Sequence, residues 1–252
     1  VFLSIKLAQN QAHIKEFMRG FVPPLIITGL FSSLILMEPD LGVPAVIVCT
    51  TFAMMFMAGV NTRYLLASAV PVLAALAVLI VVYPHRIRRI IAWLDPWEDR
   101  LDKGFHLIQS LAAIARGGIW GVGPGAGEQK LLYLNAAHTD FVFAVWAEET
   151  GLVGTLLMVG VFFVILIMGI RIAMCAPDLM GSLLATGVVS LITCQALVNI
   201  CVTTGMLPTK GLPLPFVSNG GTAMVVFLGL VGILLNIARQ CVEPPPRSAL
   251  VH

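Results

Sequence analysis

FVFAVWAEETGLVGTLLMVGVFFVILIMGIRI, residues 141–172, is the stretch whose reading decides the fold. A helix from Phe141 to Ile172 exceeds the roughly 20 residues needed to cross a bilayer, and its two acids, Glu148 and Glu149, stand near its head. They lie two to three turns in, about 12 Å along the axis at roughly 1.5 Å per residue. That depth suits the interface or a wet cavity rather than lipid. Outward from this stretch, apolar runs recur at 1–9, 22–37, 43–60, 64–83, 181–207 and 222–237. None alternates in short segments as barrel strands do. A backbone in lipid must satisfy its own hydrogen bonds, so runs of this kind are helices. The expected fold is all-α, a polytopic transmembrane helix bundle forming one integral-membrane domain over 1–252. A large extracytoplasmic loop at 84–140 carries short interfacial or re-entrant helices. A second extracytoplasmic loop spans 208–221, and a cytoplasmic tail runs from 238 to 252.

Composition agrees. Of 252 residues, 58% are hydrophobic and only 11% charged, more apolar surface than a soluble domain hides. A net charge of +2 gives no reason to expect a nucleic-acid partner. The five cysteines make neither a disulfide framework nor a CxxC pair for zinc, and read as small packing residues. Val1 opens inside an apolar run without an initiator Met, so the chain reads as N-terminally truncated. Lys15, Arg19, Arg63, Arg171, Arg239 and Arg247 fall on one side of the bundle, and in the short loops only Lys210 falls on the other. The first side should be cytoplasmic, which turns both large loops outward together. Arg86, Arg88 and Arg89 break this rule, either because long loops translocate regardless of charge or because misplaced cations bind phosphate.

The polar interruptions carry the chemistry. Ile87 to Leu94 suits a helix lying on the membrane, with Trp93 and Trp97 as headgroup anchors. Gly104 to Ala115, bearing Gln109 and Ser110, reads as a helix re-entering the bundle surface. The glycines from Gly117 to Gly127 permit close backbone approach, but match neither a dinucleotide fingerprint nor a phosphate-binding Walker loop. Asp140, beside His138 and Thr139, precedes an apolar run. It is either a helix cap or a general base at the rim, partly desolvated so that its pKa rises. Glu38 and Asp40 form a second outer acidic pair, in a turn. Gln195 and Asn199, one turn apart with Thr203 continuing the stripe, read as interhelical hydrogen-bonders. Lys210 lies in a loop stiffened by Pro208, Pro213 and Pro215, and is either a phosphate-positioning cation or a solvated lysine.

Taken together, several segments resemble the SEDS family (shape, elongation, division and sporulation). They are Glu38-Pro39-Asp40-Leu41-Gly42, Trp93-Leu94-Asp95-Pro96-Trp97, and Gln109-Ser110 with the glycines that follow. Further along come His138-Thr139-Asp140-Phe141 with Glu148-Glu149-x-Gly151, then Gln195-x-x-x-Asn199. The last is Leu207-Pro208-x-Lys210-Gly211-Leu212-Pro213-Leu214-Pro215 with Ser218-x-Gly220-Gly221. The residues around Lys210 and the Leu-Asp-Pro-Trp segment look more like the division branch than the elongation branch. The chain departs from the family pattern at Asn135, Ala136, Asn219, Thr222 and Ala223.

The resemblance implies a bacterial inner-membrane enzyme, multi-pass, with its active site on the periplasmic or extracellular face. It implies a peptidoglycan glycosyltransferase that polymerises lipid II into β-1,4 glycan strands at the division septum. Asp140 corresponds to the essential acid. Lys210, Glu38, Gln109, Ser110, His138, Thr139, Arg88, Lys130, Pro208, Gly211 and Ser218 are the matching or neighbouring candidates for substrate binding. Mg2+ or Mn2+ would suit the pyrophosphate, with Asp140 the residue that could hold it, and no organic cofactor is implied. Expected partners are lipid II, the growing strand, membrane lipid, a class B penicillin-binding protein transpeptidase and other divisome membrane proteins. The rival readings are a lipid II flippase and a non-catalytic divisome scaffold. A flippase would place polar groups through the midplane, whereas most charges here sit at the outer rim.

Overall fold

The computed structural model describes residues 1–37, 41–98, 103–127, 140–209 and 211–242. Its elements, in chain order, are α1 (Phe2–Gln9), α2 (Val22–Leu36), α3 (Gly42–Met57), α4 (Thr62–Val82), α5 (Pro84–Leu94), α6 (Lys103–Gly117), α7 (Val142–Cys175), α8 (Leu179–Thr203) and α9 (Gly221–Val242). No strand occurs among the described residues. Among the described residues five helical stretches are long and apolar enough to cross a membrane, and α3 is a shorter apolar helix. Gly59, at φ +86°, ends α3 early by turning the chain left-handed just past its last turn. α9 runs five residues beyond its expected end, through Val242.

α8 is the hub. Of its most apolar window 44% is buried, against 28% or less in the other spans, because α1, α3, α7 and α9 all pack on it. Lipid tails are as apolar as leucine, so close van der Waals fit rather than the hydrophobic effect holds such helices together. Glycines supply that fit. A Cβ at Gly187 of α8 would meet Met54 Sδ of α3 at 2.9 Å, and one at Gly169 of α7 would collide with Val189 of α8. Thr28 and Thr51 share a hydroxyl hydrogen bond of 3.0 Å between α2 and α3.

α3 and α8 run antiparallel, with Met54 beside Gly187. The same register brings the thiols of Cys49 and Cys194 within interacting reach of each other. Iodine treatment of membranes should therefore join these two. Mass spectrometry after alkylation should find two of the five thiols blocked, and Cys194→Ser should protect Cys49. Unchanged alkylation in the parent protein would contradict the α3–α8 register.

The cations that follow α4, on the side where the charge pattern did not expect them, are of two kinds. Arg86 is buried, at 4% exposure. It donates to Leu36 O at 3.2 Å and Leu79 O at 3.5 Å, and lies 4.4 Å from the centre of the Tyr83 ring. Those carbonyls belong to the last turns of α2 and α4, where orphan acceptors and the negative helix end favour a cation. Arg86 is thus a double helix cap, which gives a structural reason for a cation on that side. Arg88 is exposed on α5. Trp93, expected at the headgroups, donates from Nε1 to Gly205 O at 2.7 Å, tying α5 to the turn after α8. Trp97 is exposed.

α7 also departs from expectation. It is not one continuous helix, since Gly151 adopts φ +66°, ψ −163°. The break frees the carbonyls of Glu148 and Glu149 and the amides of Leu152 and Val153. The glycine-rich loop takes all four. Val122 N donates to Glu148 O at 3.0 Å and Gly123 N to Glu149 O at 3.1 Å, while Leu152 N donates to Gly118 O at 2.9 Å and Val153 N to Ile119 O at 3.3 Å. Irregular backbone at membrane depth survives only where such groups are re-paired. The segment Leu152–Cys175 then spans roughly 36 Å at 1.5 Å per residue, a good match to a hydrocarbon core of about 30 Å. The excess length noted in the sequence belongs to a separate head, residues 142–150.

Candidate functional site

Asp140 stands immediately before the head of α7. Phe141, not Asp140, occupies the cap position of that helix, and it makes no side-chain capping bond. Two polar residues of α8 hold the surroundings. Asn199, at 1% exposure, donates through Nδ2 to Asp140 O at 2.9 Å and to Leu212 O at 2.6 Å. Gln195, one turn earlier, donates to Pro213 O at 2.9 Å. The stripe expected to join helices to one another instead ties α8 to the Asp140 backbone and to the proline loop. A buried amide is costly without partners, and here the partners are main-chain carbonyls that fix two segments against each other.

The proline loop is held from its far side as well. Ser218 Oγ accepts from Leu214 N at 2.7 Å. Phe216 adopts φ +66°, uncommon for a bulky residue, and its ring packs 5.7 Å from Phe227 of α9. The loop is thereby pressed onto the α7–α8–α9 core, which brings Gly211 to the carboxyl of Asp140. A Cβ at Gly211 would lie 3.1 Å from Asp140 Oδ2, so any side chain there would press on the acid.

α6 closes another side. Ser110 Oγ, fully buried, donates to Thr203 O at 2.7 Å. His106 lies one turn earlier, its ring stacked on Phe141 at 5.9 Å and 19°. Gly117 packs against the carbonyl of Ala147. Glu148 is 1% exposed, and its Oε2 has no hydrogen-bond partner among the described residues.

The structure therefore brings together Asp140, Gly211 and the loop from Leu212 to Ser218, with Pro208 half-buried at its start. Ser110 and Ser218, expected to bind substrate, are buried, and each shares a hydrogen bond with main chain. Gln109 is half-buried on α6, and Arg88 is exposed on α5. Glu38, Lys130, His138, Thr139 and Lys210 lie outside the described residues. Sequence reasoning passed over His106, noting only Gln109 and Ser110 in its segment. It also missed the role of Asn199 toward Asp140. The visible signal for the latter was an amide pair at helical spacing, which does not say what the amides bind.

Asn199→Leu keeps the volume but removes both bonds. Any reaction that depends on the placement of Asp140 should slow at least tenfold, because a reacting group displaced by about 1 Å loses that much or more. Asn199→Gln should fall between the two. Wild-type activity in Asn199→Leu would show that other contacts hold Asp140.

The chain matches the family model FTSW_RODA_SPOVE, described as cell cycle protein, over residues 1–243. It is 40% identical over 240 residues to the probable peptidoglycan glycosyltransferase FtsW of Geobacter sp. (strain M18), an alignment covering 95% of this chain and 65% of that protein. It is 43% identical over 238 residues to the stage V sporulation protein E of Bacillus subtilis (strain 168), covering 94% and 65%. The chain thus spans about 65% of the length of these curated relatives. One similar solved structure is described as "Structural coordination of polymerization and crosslinking by a peptidoglycan synthase complex". It superposes with a TM-score of 0.77 at 30% identity, over 96% of this chain and 68% of that one. The rod shape determining protein RodA of Thermus thermophilus superposes with a TM-score of 0.60 at 26% identity, over 96% and 66%.

Proposed function

The chain belongs to the FtsW, RodA and SpoVE family of cell cycle membrane proteins, and from that premise we propose that it is a peptidoglycan glycosyltransferase polymerising lipid II at the division septum. The observation that carries this reading is the carboxyl of Asp140, set against Gly211 of a clamped loop at one end of an apolar bundle. Glycosyl transfer to an alcohol needs a base at the attacking hydroxyl. Asp140 takes the proton from the 4-hydroxyl of the acceptor GlcNAc as that oxygen bonds to the anomeric carbon of the donor MurNAc. The bond from that carbon to pyrophosphate breaks, undecaprenyl pyrophosphate leaves, and a β-1,4 link results by inversion. The apolar helices give the polyprenyl tails a place to lie.

The pyrophosphate carries charge that cations must offset. Lys210, at the position next to Gly211, is proposed for this, with Arg88 and Lys130. Among the described residues no group of three His, Cys, Asp or Glu gathers. Mg2+ or Mn2+ would be held by the substrate's own phosphate oxygens, with Asp140 as a protein ligand. Such an ion would help disperse the leaving group's charge. The positive-inside pattern supports placing this site on the outer face of the bacterial inner membrane. A class B penicillin-binding protein is the proposed partner. The similar synthase complex, named for polymerization and crosslinking, supports it.

The test is strand formation from lipid II by the intact protein with its transpeptidase. Glycan strands support the reading. Translocation of lipid II across liposomes without strands would put a flippase in its place.

A further inference from the structure

We propose that His106 is a ligand-positioning residue that donates a hydrogen bond from Nε2 to an oxygen of the substrate beside Asp140; this rests on the glycosyltransferase reading. The imidazole sits on α6, stacked on Phe141, the residue that follows Asp140, with Phe105 at its edge, 5.9 Å away. Phe141 is 4% exposed, so the ring rests on a fixed surface. Four residues on, Ser110 bolts the same face of α6 to Thr203. Together these contacts hold the histidine in place before any ligand arrives.

Its two nitrogens are not equivalent. Nδ1 is enclosed and makes no hydrogen bond, while the residue as a whole is only half-buried. A proton on Nδ1 would be a buried donor without an acceptor, a rarer arrangement than an unfilled acceptor. The neutral ring therefore carries its one proton on Nε2. That leaves a single N–H donor on a ring that lies against Phe141, the residue next to Asp140, with no hydrogen-bond partner described for it. The oxygen-rich head of lipid II, with sugar hydroxyls and phosphate oxygens, offers the acceptors such a donor needs.

Two substitutions separate this role from packing. His106→Phe keeps the ring on Phe141 and removes the donor, while His106→Gln gives up the ring and keeps an N–H. Equilibrium binding of lipid II to the intact protein is measured in an Asp140→Asn background, alongside thermal midpoints. Loss of one hydrogen bond should weaken binding by about tenfold in the Phe variant without lowering its midpoint. The Gln variant should recover to within about threefold. Wild-type affinity in His106→Phe overturns the proposal, as does equal weakening in both variants, which would mark a packing role. If neither this background nor the protein with Asp140 intact binds lipid II, the glycosyltransferase reading has failed and this proposal falls with it.

Discussion

Asp140→Asn should abolish strand formation from lipid II, lowering the rate by roughly 10²–10⁴-fold, the usual worth of a positioned base. The substitution keeps size and shape but removes the basic carboxylate. It should leave the fold in place. Asn199 holds the backbone carbonyl of Asp140, not its side chain, and an amide of the same volume still fits beside Gly211. Asp140→Ala should lose activity equally, while both variants bind the transpeptidase and melt near the parent temperature. Strands from the variants at the parent rate would remove Asp140 from the chemistry and leave it as a turn residue ahead of α7. An inactive parent would point to the scaffold reading, or to a flippase if lipid II crosses liposomes.

Gly151→Val should have the largest effect on stability. At φ +66° a β-branched residue is a true outlier. Its Cβ would collide with the backbone of Gly121 and Ile119, which cannot rotate aside as a side chain would. Strain and overpacking together come to roughly 2–6 kcal/mol, a large share of the roughly 5–15 kcal/mol typical of a folded protein. One escape is for the loop to lift away, which strands the four backbone bonds that re-pair the break. The other is for α7 to straighten, which leaves the loop unseated. Either way protease should cut within 117–127 far faster, and the thermal midpoint should drop. Gly151→Ala should fall between the two. Parent-like resistance in Gly151→Val would show that the break in α7 is incidental.

Much of this was legible in the sequence because membranes impose a local rule. A span must be a run of about 20 apolar residues with its hydrogen bonds made internally, so α2, α4, α8 and α9 could be found from composition alone. The loops stood out for the same reason, and Asp140 was visible as an acid at the edge of an apolar run. The break in α7 was less legible. Gly151 stood out only as the end of the Glu148-Glu149-x-Gly151 segment, and a glycine within a span usually serves packing, as Gly187 does against Met54.

What the sequence determined by itself, then, is the all-helical membrane class, the position of most spans, and the family resemblance that the comparisons bear out. Tertiary structure alone decided what the polar groups are for. Asn199 reaches back 59 residues to the carbonyl of Asp140. Arg86 caps a helix that ends 50 residues earlier, and Ser110 bonds a carbonyl 93 residues away. Each partner is a main-chain carbonyl, and every residue has one. No side-chain pattern could reveal which carbonyl would be met until the helices had packed.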